Sequence, residues 1–241
     1  MTMPRLVAAE RLDHLAADDP LARRSRRDLV RVHRAMGTRS IVIRGWQALV
    51  SPERANAPLK ILEIGAGDGT LLLGVARSLV PAWPHVELTL LDRQDIVSPA
   101  TLACYSDLGW SAQVEVADVL EWAARSAGVA PRWDLITTTL FLHHFEGGQL
   151  DALLARVASC ADRFFACEPR RAWLALAGSH LVGAIGANAV TREDAVLSVH
   201  AGFRASEITA RWPRGEADWQ CREFAAGPFS HCFSARRLGA G

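Results

Sequence analysis

The stretch Glu63-Ile64-Gly65-Ala66-Gly67-Asp68-Gly69-Thr70 decides how the rest of the chain is read. It leaves a short apolar β-type run, Lys60–Ile64, and enters a helical one, Thr70–Leu79. Glycines at alternate positions let the backbone approach a ligand closely and adopt dihedral angles that other residues resist. Dinucleotide-binding turns space their glycines as Gly-x-Gly-x-x-Gly. Here they fall at every second position, with Glu63 two residues ahead of Gly65, and the spacing favours a different ligand.

Working outward from this turn, short apolar runs alternate with longer helical ones, the pattern of a parallel sheet covered on both faces. The strand candidates are Lys60–Ile64, Glu87–Leu91, Gln113–Val116, Asp134–Thr138 and Arg163–Cys167. Helices fit between them at Thr70–Leu79, Ile96–Leu108, Val119–Ala127 and Gly148–Ala161. Two acids come where such a sheet presents its ligand-binding edge, since Asp92 ends the second strand and Asp118 follows the third. Each also suits the N-cap of the helix that follows it. Beyond the fifth strand, Arg171–Ala187 and Thr191–His200 read as successive helices. Ser206–Trp212 and His231–Arg237 then read as a closing antiparallel hairpin. Ahead of the turn, Arg5–Val50 reads as helical, with Pro4 and Pro20 near helix starts and a break at Gly37. The expected organisation is a helical extension over residues 1–57 and one α/β domain over 58–241, with a helical insertion at about 170–202.

Half of the 241 residues are hydrophobic, enough for a substantial core. Lysine and arginine number 27 against 26 acids, so the net charge of +1 offers no global attraction for nucleic acid, and a small or apolar partner fits better. The basic run Arg23, Arg24, Arg26, Arg27, Arg31 and Arg34 suits either a solvated face or an anionic partner. Cys104, Cys160, Cys167, Cys221 and Cys232 contain no Cys-x-x-Cys pair and suit free thiols in a reducing compartment. The first twenty residues carry Glu10, Asp13, Asp18 and Asp19 and lack an apolar core, so the expected location is cytoplasmic. Ala172–Thr191 is uncharged and close to bilayer length. Gly178, Ser179, His180, Gly183, Gly186 and Asn188 dilute it, and no stable membrane insertion is expected.

The glycine turn with Glu63, Asp92 and Asp118 in this order resembles the class I S-adenosylmethionine (SAM) dependent methyltransferases, from about Lys60 to Arg237. The resemblance implies an α/β, Rossmann-like seven-stranded sheet with an antiparallel last strand and helices on both faces, here carrying an N-terminal helical extension. It implies SAM as cofactor and S-adenosylhomocysteine as product. Glu63, Gly65, Ala66, Gly67, Asp68 and Gly69 would surround the methionine part, Asp92 and Arg93 the ribose, and Asp118 and Val119 the adenine. Thr139 and Leu140, at the fourth strand's tip, join the same set. The run Thr139-Leu140-Phe141-Leu142-His143-His144-Phe145 is similar to a segment of small-molecule methyltransferases like those of quinone biosynthesis. Cys167-Glu168-Pro169-Arg170-Arg171 and Gly186-Ala187-Asn188-Ala189-Val190-Thr191 resemble pieces of bacterial methyltransferases that accompany type III polyketide synthases. That likeness implies a small, hydrophobic or phenolic acceptor.

Methyl transfer from a sulfonium depends on aligning the acceptor, and a phenol or hydroxyl also benefits from a base. His143 and His144 are the candidates for that catalytic role, and adjacent residues diverge too much to expect a shared metal. His180, Asn188, Arg192 and His200, in the late helices, are candidates for holding the acceptor, and Arg39 for reaching the methionine carboxylate. The fourth-strand sequence lacks the Pro-Pro-aromatic turn of enzymes that methylate exocyclic base amines. No cysteine follows a proline, as a cytosine-carbon methyltransferase would require. Two other readings stay open at this level, a non-catalytic SAM-binding protein and an NAD-type oxidoreductase.

Overall fold

A computed structural model describes residues 3–50, 58–125, 132–215 and 218–239. Among these, the helices are α1 (Pro20–Met36), α2 (Thr38–Leu49), α3 (Thr70–Leu79), α4 (Pro99–Asp107), α5 (Val119–Ala124), α6 (Gly147–Cys160), α7 (Trp173–His180) and α8 (Ala189–Ala201). The strands are β1 (Leu59–Ile64), β2 (Val86–Asp92), β3 (Trp110–Val116), β4 (Leu135–Thr139), β5 (Arg163–Pro169), β6 (Trp219–Ala226) and β7 (Ser230–Arg237). They form one seven-stranded sheet in the order β3-β2-β1-β4-β5-β7-β6, in which β7 runs antiparallel to both of its neighbours.

Burial follows position in the sheet. Every residue of β4 and β5 is buried, as central strands covered on both faces require, whereas β3 and β6 at the edges are largely half-exposed. One core layer packs α2, α3 and α4 on the sheet around Trp46, Tyr105, Trp110 and Phe165. The other packs α5 and α6 around Leu150, Leu154, Phe164 and Phe233. The helix ahead of β1 is therefore part of the core. Trp46 is fully buried, stacks on Trp83 and donates its indole N–H to Thr137 Oγ1 at 3.2 Å.

The chain order reverses between β1 and β4, because β2 and β3 lie on one side and β5 on the other. Loops leaving the carboxyl ends of β1 and β4 must diverge there, which opens a crevice. The glycine turn and the two histidines follow these two strands.

Three expectations fail for local reasons. Ser206–Trp212 is a series of turns and not a strand: Ile208 and Trp212 are buried one helical turn apart, and Glu223 on β6 accepts the backbone N–H groups of Ile208 and Thr209 at 3.1 and 2.8 Å. The β7 partner is instead Trp219–Ala226, whose alternating burial includes Arg222 and Glu223. The single helix expected over Arg171–Ala187 ends at His180, continues as a 3-10 turn, Val182–Ile185, and stops at left-handed Gly186. The start of the helical extension has no regular secondary structure up to Glu10, with only a short 3-10 turn at Leu12–His14 before α1. The end expected for the helix starting at Val119, Ala127, lies outside the described residues.

Truncating Trp46 removes a ring from the α2–sheet layer and leaves its surroundings only partly able to collapse. Trp46→Ala is expected to lower unfolding free energy by about 3–5 kcal/mol in urea titration.

Candidate active site

The turn after β1 is built by three glycines at positive φ, Gly65 at 75°, Gly67 at 56° and Gly69 at 71°. Their surroundings differ. A side chain at Gly65 would strike the Phe141 ring at 2.3 Å, and one at Gly69 would press on Leu90 at 3.2 Å. Gly67 faces open space within 4 Å, so its bare backbone lines a cradle. Gly65 and Ala66 donate to the Leu91 carbonyl, and Gly67 donates to Asp92 Oδ2 at 2.9 Å, which ties the turn to the tip of β2. Asp92 Oδ1 accepts from the Gln94 backbone at 2.9 Å. Each carboxylate oxygen keeps a second lone pair for a ligand hydroxyl. Asp68 caps α3 by accepting the Thr70 N–H at 3.0 Å and its hydroxyl at 2.6 Å.

Glu63 lies beneath the turn, buried, with Oε2 lacking a partner among the described residues. Burial, and then the charges of Asp92 and Asp68, push its pKa well above the usual carboxylate range. An unpaired buried polar atom calls for a partner, and a cationic or donor group in the cradle would supply one. Asp118 is exposed and caps α5 through the N–H groups of Leu120 and Glu121, while Val119 beside it is buried. Thus Glu63, Gly67 and Asp92 meet in one place. Asp118 stands at the next strand end, where Ala117 N–H bonds the Asp92 carbonyl at 3.0 Å.

The turn after β4 is organised by Glu168 of β5. Its fully buried carboxylate accepts the backbone N–H groups of Phe141, Leu142 and His143 at 3.0–3.3 Å and the ring Nδ1–H of His143 at 2.9 Å. Leu140, at the tip of β4 after buried Thr139, is held at a φ of 52°, a left-handed conformation that strains a branched residue. Its N–H bonds the Cys167 carbonyl at 2.9 Å. The Phe141 ring then lies between Gly65 and His144, with 6.2 Å separating the Phe141 and His144 ring centroids.

The N-terminal segment closes over this edge. Glu10 Oε1 accepts from His143 Nε2 at 3.2 Å and also from the Ser198 hydroxyl on α8. Asp13 pairs with His144 Nδ1 at 3.2 Å and with Arg93 at 3.4 Å, bridging the tips of β4 and β2. Farther up, Arg5 donates to the Phe145 and Ala201 carbonyls, and Gln94 donates to the Leu15 carbonyl. Glu10, Asp13, Glu168 and Ser198 are site residues that sequence reading missed.

The histidines consequently differ. Burial alone would lower the His143 pKa, but hydrogen bonds and charge from Glu10 and Glu168 outweigh it and push it up to about 9. Burial would raise Glu10, and the His143 contact draws it below the ordinary value instead. Burial and the neighbouring His143 charge hold His144 below its ordinary value. Ligating atoms of Glu10, His143 and His144 lie within 4.8 Å of one another. Since both ring nitrogens of His143 are engaged by carboxylates, an imidazolium between two carboxylates accounts for the cluster. On α1, His33 is held neutral by burial, its pKa lowered to about 4 despite the attraction of Asp68, and its Nδ1 has no partner among the described residues.

The other expected positions do not converge. His180 is exposed at the end of α7, and Arg192 is exposed with its stem against Gly183. Asn188 caps α8 through the Thr191 N–H at 2.9 Å and bonds Ser25 of α1. His200 lies at the far end of α8, where its carbonyl accepts the Leu6 N–H at 3.1 Å. Arg39 is exposed and lies across Gly74 of α3.

The sheet order, with the reversed β7, is the class I SAM-dependent methyltransferase fold. The plantazolicin methyltransferase BpumL in complex with SAH superposes with a TM-score of 0.61 at 16% identity, over 91% of each chain. An O-methyltransferase family protein from Burkholderia thailandensis gives 0.61 at 14% identity, over 96% of this chain and 63% of that one. The CMeT domain of the citrinin polyketide synthase gives 0.51 at 16% identity, over 76% of this chain and 47% of that one. No family model and no curated protein matches the sequence.

Two outcomes follow for the turn. Gly67→Arg is expected to lower the melting temperature by a few degrees, the cost of a side chain at its positive φ, and to abolish SAM binding in calorimetry. Gly65→Ala, which also meets the Phe141 ring, is expected to lower the melting temperature further. Stability should also depend on pH through His143. Its folded pKa of about 9 exceeds the ordinary 6.5, so its contribution is complete below about pH 6.5 and is lost as pH rises through 9. Melting temperature should therefore fall over that alkaline window, and His143→Gln should flatten the fall.

Proposed function

We propose that the protein is an enzyme that transfers a methyl group from SAM to a small, hydrophobic or phenolic acceptor. The observation that carries this reading is the convergence of unpaired Glu63 Oε2, the open face of Gly67 and the Asp92 carboxylate at the carboxyl ends of neighbouring strands. The fold and its SAH-bound neighbour support the same ligand. When bound, SAM supplies an electrophilic methyl on a sulfonium. Glu63 and the turn Gly65, Ala66, Gly67, Asp68 and Gly69 would hold its methionine part, with Thr139 and Leu140 at the facing strand tip. Asp92 would accept the ribose hydroxyls, with Arg93 beside it, and Asp118 and Val119 would border the adenine.

In this reading His144 takes the proton from an acceptor hydroxyl. Its lowered pKa leaves it neutral at pH 7, and the Asp13 carboxylate at Nδ1 leaves Nε2 to accept a proton and steadies the imidazolium that forms. His143, buried and already protonated between Glu10 and Glu168, is a positioning residue that fixes the loop carrying Phe141 and His144. The N-terminal segment excludes water from the same edge. His180, Asn188, Arg192 and His200, which do not converge on this site, take no part in this reading.

Mass spectrometry after incubation with SAM and separate panels of phenolic polyketides, quinol precursors and amines tests the reading. A gain of one methyl in the phenolic panel is expected, and SAM binding without transfer to any acceptor would identify a non-catalytic SAM-binding protein. His144→Ala should lower kcat by about 10²–10⁴-fold. In wild type the acid limb of the rate profile should lie below the ordinary histidine value. Unchanged turnover in His144→Ala would remove the base.

A further inference from the structure

The uncharged stretch Ala172–Thr191 is buried on only one side. Trp173, Leu174 and Leu181 are 64%, 63% and 67% exposed, and Ile185 is 39% exposed. With exposed Ala177 and Ala184 they form one apolar stripe along α7 and the 3-10 turn Val182–Ile185, on which His180 is the only ionisable group. Helical spacing puts Trp173, Leu174, Ala177 and Leu181 within about 100° of one another. Packing inside the fold does not explain the stripe, because the inner face of α7 is already occupied by buried Ala175 and Ser179 and by Gly178 against Phe229.

Basic groups border this stripe. Arg31 on α1 donates to the Ile185 carbonyl at 2.9 Å and lies against Gly186, while the stem of Arg192 lies on Gly183. On α1, Arg24, Arg27 and Arg31 follow one another at helical three- and four-residue intervals on the flank that touches the turn. Arg23, Arg24, Arg27 and Arg34 are exposed and form no ion pair with any described residue. Asp28, next to them, is buried and paired with Arg31 at 2.5 Å, and Asp18 and Asp19 lie at the amino end of the helix. An exposed aromatic and aliphatic stripe beside an arginine-rich helix face suits a surface that is apolar inside and anionic at its boundary.

We propose that α7, the 3-10 turn Val182–Ile185 and the arginine face of α1 form a docking surface for an anionic phospholipid bilayer, with Trp173, Leu174 and Leu181 entering the headgroup boundary. No described helix is long and apolar enough to cross a membrane, so the attachment is peripheral. The arginines supply long-range attraction and the stripe supplies the desolvated contact, so neither suffices alone. The inference does not depend on the methyl acceptor, and its test uses no activity.

Flotation with vesicles of phosphatidylcholine alone, or of phosphatidylcholine mixed with phosphatidylglycerol, provides the test. The full chain should float with the mixed vesicles at low salt, and its partitioning should drop by about tenfold or more on phosphatidylcholine alone or in molar salt. Leu174→Glu combined with Leu181→Glu, and separately Arg24→Glu combined with Arg27→Glu, should each reduce partitioning by about tenfold or more while leaving the melting temperature unchanged, since all four side chains are exposed. Absence of flotation by the wild-type chain, or flotation unaffected by either variant, would overturn the proposal. So would light scattering showing a dimer that Leu174→Glu with Leu181→Glu dissociates, which would assign the stripe to a second copy of the chain.

Discussion

A single buried carboxylate, Glu168, holds the site in register. It is fully enclosed at the end of β5, where an unpaired charge would be prohibitive, and it is satisfied by three backbone N–H groups of the neighbouring loop and by one ring proton. Those bonds dictate the path of Phe141–His143 and support the strained Leu140. The imidazolium they help create reaches Glu10 on the other side. The loop after β4, the N-terminal segment and α8 are thus coupled through one charge alternation, carboxylate, imidazolium, carboxylate. Removing the middle charge would leave two acids facing each other across a dry gap.

Electrostatics divides two adjacent histidines into different roles. His143 has a carboxylate at each nitrogen and stays protonated through neutral pH, while its charge helps to keep His144 neutral. Sequence proximity made them look interchangeable. Their difference arises because other elements bring two carboxylates, Glu10 and Glu168, onto His143, while burial and the His143 charge act on His144.

What was legible from residue order is what is locally determined. Glycine at three positive-φ positions is demanded by the turn itself, and Asp92 ends β2 as its apolar run indicated. The central strands announce themselves by apolar and β-branched runs, such as Leu135–Thr139, because both of their faces are covered. Edge structure was harder to read. Trp219–Ala226 carries Gln220 and Arg222 on its open face and did not stand out, whereas Ile208 and Thr209 lend β-like composition to a segment that Glu223 holds in turns. Glu10 meets His143 across 133 positions and Asn188 meets Ser25 across 163, so no window of sequence reveals either pairing. Asn188, expected near the acceptor, serves first as a helix cap.

The N-terminal segment also sets an order of assembly. Arg5 finds its carbonyl partner 196 residues later, at Ala201, and Glu10 finds Ser198 188 residues later. Such distant closures are slow because chain entropy must be surrendered before any contact forms. During synthesis Arg5 and Glu10 must wait, undocked, until α8 has emerged. The site is thus completed only when two widely separated stretches of the chain have met.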